Sequence, residues 1–564
     1  MSVPGADSAV DLVVIGGGVN GTGIARDAAM RGLSVVLVEK RDWAAGSSGA
    51  NSGMIHGGLR YLLFDRTVTY QSSLDSGYIQ RIAPHLLFRI PFLFPLAHRN
   101  EEGTRNLGQW VYDYLTGVYV GAYDPYARLK NGKRHNQLTA AEALEVEPGL
   151  SPKLHSALTF DEHGIDPFRL CALNARSAAD HGASLRTYTQ VTSFLRGEGG
   201  RVEGVKLTDL HTNAVEEVRS KVVVNAAGPW APRVARLANV KLALRPGKGV
   251  HLTLDRRLSN YAIACYAIDG RQIFVMPHES TTIIGTTDDD YYGDPDDIPI
   301  TRDEVAYLLE GVARAFPKVR EARVLRAWAG VRNTMYKWGV NEDVLSREHL
   351  FVDHAREGAD GFYSLVGGKL ASFRLQAEEA VDVVCRRLGR RARCRTHEVA
   401  LPGGERVINS DALAEATRLP PYSLARLVYR HGAEALKIVD LAKEDPVLAA
   451  PVCPCEGTLG AELVFSIRHE QAHHLVDLRR RCRLAMGSCQ GTRCIAPAAA
   501  LLARERRLNA DETHAEIRSL LDERWKGNRA VATGDGLAQA ELAQGSFFTT
   551  GHLPDGPLPG PARR

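Results

Sequence analysis

No stretch of about eighteen consecutive apolar residues occurs in the chain, so nothing in it reads as a membrane-spanning helix. The opening MSVPGADSAV lacks both the basic start and the apolar run of a secretory signal. Charge of one sign is missing too. Seventy Lys and Arg stand against 66 Asp and Glu, and a net +4 over 564 residues is too weak to point to nucleic acid. These absences predict a cytoplasmic protein with no nucleic-acid partner, and they leave peripheral contact with the inner face of the cell membrane open. With no export signal, the nine cysteines are expected to be reduced, so clustered ones point to metal or redox chemistry. The composition, 44% apolar and 24% charged, is that of a globular protein, and the length calls for more than one domain.

The stretch DLVVIGGGVNGTGIARDAAMRGLSVVLVEK (Asp11 to Lys40) reads as strand, glycine turn, helix, strand. Its apolar runs are short and β-branched, as in buried parallel strands. KVVVNAAGPW (Lys221 to Trp230) is another apolar strand running into glycine. DGFYSLVGGKLASFRLQAEEAVDVVCRRLG (Asp360 to Gly389) is strand, glycine turn and long amphipathic helix. Between these, GVHLTL, QIFVMP and STTIIGTTD predict a sheet-based lobe inserted into an α/β nucleotide-binding fold, and Thr301–Glu304 has the form of a capping box. LPGGERVINSD (Leu401 to Asp411) reads as a linker. The rest is helical up to a Pro/Gly-rich tail expected to be disordered.

Gly16-x-Gly18-x-x-Gly21 sits between a strand and a helix, with Glu39 ending the next strand. The glycines let backbone approach a pyrophosphate, the helix N-terminus favours the anion, and Glu39 is suited to accept from ribose hydroxyls. The context makes this a dinucleotide site. AAGSSGANSGMIHGGLRYL (Ala44 to Leu62) is rich in small residues that can wrap a cofactor closely.

These segments, with IHGGLRYL, VVVNAAGPW, IIGTTD, WAGVRN and LVGGKLASFR, resemble the FAD-dependent glycerol-3-phosphate dehydrogenases of the D-amino-acid-oxidase-like superfamily. DPFRL and CRRLG resemble the A subunit of the anaerobic type. The resemblance implies a Rossmann-like FAD-binding domain with a mixed or antiparallel substrate lobe over residues 1–400. It implies non-covalent FAD held by Gly16, Gly18, Gly21, Glu39, Lys40, Ser47, Ser48, Asn51 and His56, with Gly367, Gly368, Lys369 and Leu370 at the isoalloxazine ring. The substrate implied is sn-glycerol 3-phosphate, with electrons passing to quinone or to partner electron-transfer subunits.

Oxidising a phosphorylated alcohol with a flavin requires hydride loss, proton loss and cationic anchors. Arg332 and Lys369 are expected to orient the substrate and stabilise the alkoxide. Arg60 and Tyr61 are expected to hold the phosphate, and His251 to accept the proton. The family commonly has proline after the arginine matching Arg332. This chain has Asn333, which predicts a more flexible loop.

Near the C-terminus lie Cys453-x-Cys455 and Cys489-x4-Cys494, two close pairs that a helical hairpin would bring together. Four thiolates suit a [2Fe–2S] cluster or tetrahedral zinc. CQGTRC and its surroundings resemble a bacterioferritin-associated-ferredoxin-like [2Fe–2S] domain, which implies those four cysteines as ligands. Cys482 reads as a packing residue, and Cys171, Cys265, Cys385 and Cys394 as structural. The expected organisation after residue 400 is a helical linker (401–450), the cluster domain (451–505), a helical extension (506–550) and the tail (551–564). HLLFRIPFLFPLAHR (His85 to Arg99) is either an interfacial segment or core.

Overall fold

The computed structural model of the protein describes residues 9–63, 65–97, 107–336 and 348–550, apart from the side chains of residues 60, 63, 107–110, 112 and 548–550. The expected tail, 551–564, lies outside the described residues. β1 (Val10–Ile15), α1 (Val19–Met30) and β2 (Val35–Val38) form the predicted strand–turn–helix–strand unit. Every residue of β1 and β2 is buried, which is why both read as unbroken apolar runs rather than alternating ones. They pair in parallel from Leu12 opposite Val35 to Ile15 opposite Val38. On its other edge β1 pairs in parallel with Val215–Asn225, which in turn pairs with Phe362–Gly367. Three segments remote in sequence therefore end side by side, each delivering its glycine turn to the same end of one sheet. α1 packs against helices Pro167–Asp180 and Phe373–Arg387.

The inserted lobe is a second, nine-stranded sheet, antiparallel except where Leu87–Ala97 runs parallel to Ala262–Tyr266. The mixed lobe expected from the sequence is thus present. The capping box is also there. The Thr301 side chain accepts from the Glu304 amide and starts helix Arg302–Ala313. The segment beginning at His85 forms an inner strand of this sheet between Ala262–Tyr266 and Leu154–Ile165, with Ile90, Phe92, Leu93, Phe94 and Leu96 all buried. It is core, not an interfacial segment. His98 and Arg99 lie outside the described residues.

Residues 401–450 hold the helices expected there, and these are packed. Helices Ser410–Thr417, Pro421–His431 and Ala435–Glu444 share one apolar core with helices Gly460–His469, Leu475–Cys482, Ile495–Arg506 and Ala510–Asn528. Leu427, Ile438, Val464, Leu478, Leu502 and Leu521 meet there. The cysteine-bearing stretch is part of this larger helical body rather than a domain of its own.

The helical body is fastened to the first sheet's domain by buried ion pairs. Arg169 donates to both oxygens of Glu470 at 2.7 and 2.9 Å. Arg481 forks onto Asp42 at 2.5 and 2.9 Å, and neither side chain is exposed at all. Arg480 also reaches Asp42, at 3.3 Å, so removing Arg481 takes the two shortest bonds from a buried carboxylate but leaves it one cation. Arg481→Met is expected to lower stability by about 3 kcal/mol, seen as a fall in the denaturant midpoint. A loss within experimental error would show that Arg480 alone satisfies Asp42.

Candidate active site

One cavity of about 710 Å³ runs between the two sheets. Its walls include the Gly16–Val19 turn, Glu39 to Arg41, Ser47, Ser48, Asn51, His56 and Tyr61. Arg332, Asn333 and the turn from Gly367 to Leu370 line it as well.

At the Gly16–Gly21 turn backbone crowds backbone. A Cβ at Gly21 would sit 1.8 Å from the Gly16 carbonyl oxygen, so only glycine permits the turn. Glu39 accepts from the amides of Gly17 at 2.6 Å and Arg41 at 2.8 Å. Burial pushes its carboxyl pKa up, and the two amides oppose that shift. Each oxygen keeps a lone pair for a ribose hydroxyl. The Val19 amide at the start of α1 donates to the Ser48 hydroxyl at 2.9 Å. Ser47 donates to the Val331 carbonyl and so ties this loop to the substrate lobe. Asn51 spends its amide group on the carbonyls of Ser47 and Ser48, and its carbonyl accepts from Gly53, so it shapes the loop. Lys40 lies over the Trp230 ring and reaches Asp296 at 2.8 Å. At the same end of the sheet, one strand away, Gly367 and Gly368 both have positive φ and turn the chain into the short helical turn Leu370–Ser372. Two close-approach glycine turns lining one cavity suit a dinucleotide, so the residues present fit FAD.

Arg332 and Lys369 bring positive charge to the cavity wall. Arg332 donates to Asp288 at 2.6 Å and to the Thr287 carbonyl at 3.4 and 3.5 Å. Lys369 donates to the carbonyls of Gly57 and His56 at 3.2 and 3.3 Å, and its ammonium lies 4.7 Å from the centre of the Tyr61 ring. The Arg60 side chain lies outside the described residues. Asn333 is in strand Val324–Met335, opposite Pro246, so the predicted flexible loop is a paired strand.

His251 is a correction. It is buried, stacked on Trp328 at 4.2 Å, and joined to Ser52 at 2.9 Å. Ser52 lines the cavity and His251 does not. Burial, reinforced by Arg332, drives its pKa down to about 3. Its ring is committed to Ser52 and Trp328 rather than to the cavity. His56 is on the cavity wall, where burial and the charges of Lys369 and Lys130 hold it well below the ordinary imidazole value. The sequence resemblance places His56 beside the cofactor but gives no sign of this electrostatic setting. It gives none for Asp288 either, although Asp288 closes the IIGTTD motif.

The four clustered cysteines do come together. A short β-hairpin, Pro451–Cys453 with Thr458–Leu459, carries the first pair, not a helical hairpin, and the second pair precedes helix Ile495–Arg506. Cys453 meets Cys494, and Cys455 meets Cys489. The hydrogen bond with Cys494 draws Cys453 down to about 7 and drives Cys494 up. The Ala485 amide points at the sulfurs of both. Among the described residues, no three His, Cys, Asp or Glu side chains converge on one metal position.

The sequence pattern of the FAD dependent oxidoreductases matches residues 11–372, and that of the C-terminal domain of alpha-glycerophosphate oxidase matches residues 394–513. The chain is 34% identical to the A subunit of the anaerobic glycerol-3-phosphate dehydrogenase of Escherichia coli strain K12, over 95% of each chain. It is 35% identical to the A1 subunit of the corresponding Haloferax volcanii enzyme, over 94% of this chain and 89% of that one. The structure of the glycerol-3-phosphate dehydrogenase from Bacillus halodurans, complexed with FAD, superposes with a TM-score of 0.73 at 26% identity, covering 94% of this chain and 97% of that one. The chain belongs to the FAD dependent oxidoreductases and, within them, to the glycerol-3-phosphate dehydrogenase family. It is an oxidoreductase, and the match to residues 394–513 falls on the helical body described above. Among the described residues no helix is long and apolar enough to cross a membrane.

Proposed function

We propose that the protein oxidises sn-glycerol 3-phosphate to dihydroxyacetone phosphate with bound FAD. The observation that carries this reading is that Lys369, against His56 and Tyr61, lines the same cavity as Arg332 and the Gly16–Gly21 turn. FAD, when bound, supplies the acceptor for the hydride leaving the alcohol carbon. Arg332, steadied by Asp288, and Lys369, steadied by two carbonyls, orient the substrate and offset charge developing on its oxygen. The hydroxyl proton passes to the His56 ring. That ring stays neutral beside two ammonium groups until the substrate phosphate brings compensating negative charge, so its basicity rises when substrate is in place.

Cys453, Cys455, Cys489 and Cys494 would hold a [2Fe–2S] cluster, which would supply one-electron transfer toward quinone or a partner protein. Support comes from the pairwise arrangement of the thiols. A two-iron cluster needs two cysteines on each of two metals, whereas zinc needs four at one point. Work at the cytoplasmic face of a membrane fits an acceptor such as quinone. An oxidase that produces hydrogen peroxide is the rival reading.

Adding sn-glycerol 3-phosphate to anaerobic holoprotein is expected to bleach the flavin's visible absorbance, and an unchanged spectrum would remove the substrate assignment. Peroxide formed at the turnover rate in air would favour the oxidase. Arg332→Ala and Lys369→Ala are each expected to slow bleaching about ten- to a hundredfold, or roughly 1.5–3 kcal/mol, with FAD retained.

A further inference from the structure

Beneath the turn that carries His56 lies a group of ionisable side chains that the proposed mechanism does not use. Lys130, Tyr123 and Glu162 are 0%, 1% and 3% exposed. The Tyr123 hydroxyl is their centre. It donates to Glu162 Oε1 at 2.8 Å and accepts from Lys130 Nζ at 3.1 Å. Lys130 also pairs with Glu162 Oε2 and donates to the Asp161 carbonyl at 3.2 Å. Gly57 packs directly against the same Tyr123 hydroxyl, so closely that a Cβ on it would sit 2.3 Å away. The carbonyl of Gly57, on the other side of that residue, holds Lys369 at 3.2 Å. Glu162 itself reaches the cavity wall.

Burying a lysine and a glutamate together is costly, and an apolar pair of similar volume often serves stability as well or better. A pair kept here, holding the hydroxyl that packs on the residue between His56 and Gly58, has a reason other than stability. We propose that Lys130 and Glu162, joined through Tyr123, form a positioning unit that fixes the His56–Gly58 turn and sets the pH at which His56 accepts the substrate proton. The proposal deepens the function given above and rests on it. The charged and titratable groups around His56 come from several elements. They are Lys369 after strand Phe362–Gly367, Lys130 after helix Asp124–Leu129, Glu162 on strand Leu154–Ile165, Tyr123, and Tyr61 on its own short turn; Arg332 shares the same cavity. Lys130 and Lys369 both disfavour the charged imidazole. Taking away Lys130 removes one of those charges and leaves the Glu162 carboxylate unbalanced, so both changes raise the basicity of His56.

The test is the rate of flavin reduction by saturating sn-glycerol 3-phosphate in anaerobic holoenzyme, followed across pH. The wild-type rate is expected to fall on the acid side as His56 becomes protonated. Lys130→Met should move that acid limb up by about one pH unit. Lys130→Gln, which keeps a donor for Glu162, should move it in the same direction and guards against a variant that does not fold. Lys130→Arg should return it toward wild type. Tyr123→Phe, which uncouples the unit from Gly57, should slow reduction about tenfold while FAD stays bound. An unmoved acid limb in whichever neutral Lys130 variant retains FAD overturns the proposal, even if the rate falls, because the unit is then only structural. A full-rate Tyr123→Phe enzyme overturns it as well. A wild-type flavin that the substrate never bleaches removes the substrate reading itself, and that result appears before any variant is made.

Discussion

Gly18→Val is expected to give a folded protein without flavin absorbance. Gly18 has φ −74, a value open to any residue, so valine brings no backbone strain there. A Cβ at this position meets only Ser48 among protein atoms, with its hydroxyl at 3.0 Å. The remaining space belongs to the cavity, and the added methyl groups would fill it where a pyrophosphate must lie against the start of α1. Gly21→Val is the contrasting case. Its Cβ would sit 1.8 Å from the Gly16 carbonyl oxygen, so the turn itself would have to break. The pair separates cofactor exclusion from misfolding. Gly18→Val should unfold like flavin-free wild type and carry no FAD, while Gly21→Val should be poorly folded. A yellow Gly18→Val protein with normal FAD content would defeat the assignment of this turn.

The second large effect concerns the sulfurs. Protein purified without oxygen is expected to contain about two irons and two sulfides per chain. Serine at any of Cys453, Cys455, Cys489 or Cys494 should abolish both, and should stop electron delivery to quinone while leaving flavin bleaching by substrate intact. Cys482→Ser is the control. Cys482 is fully buried, its thiol donates to the Leu478 carbonyl at 3.0 Å, and burial pushes its pKa well up, so it is built as a packing residue. Cys453 and Cys455 differ in surroundings. Cys453 and Cys494 are buried, and Cys455 and Cys489 only half-buried, so the second pair faces the side from which an electron acceptor would approach. Zinc in the pure protein, or no metal with full-rate quinone reduction, would refute the cluster.

The first sheet was legible because its signals are local. A buried parallel strand shows as a short β-branched run, and the turns that follow need glycine at fixed positions, as at Gly21 and Gly367. The lobe was legible from its strand-like runs and from the Thr301 capping box. The helices of residues 401–450 were expected, and proline is well placed in the first turn of Pro421–His431; no local signal showed that they share a core with the helices that follow. The site was half legible. Arg332 and Lys369 sit on the cavity wall, but a sequence does not say which histidine faces a ligand. On strand Leu244–Leu254 His251 pairs opposite Trp328 in the neighbouring strand, and the aromatic stack takes it into the core. Lys130, Tyr123 and Glu162 carried no pattern at all, since they meet only after three separate elements fold together.

The Arg481–Asp42 clamp has a consequence for how the protein is made. Asp42 precedes Trp43, whose ring packs against Gly17, and Ala44 donates to the Gly17 carbonyl at 3.0 Å, so the clamped loop braces the cofactor turn. Its cation arrives 439 residues later. At about 5–20 residues per second, a nascent chain waits roughly 20–90 s between exposing the carboxylate and supplying its partner. During that interval the nucleotide-binding domain carries a bare charge on a surface destined to be buried. Tight flavin capture is thus expected only once Arg481 has been made and the helical body has docked.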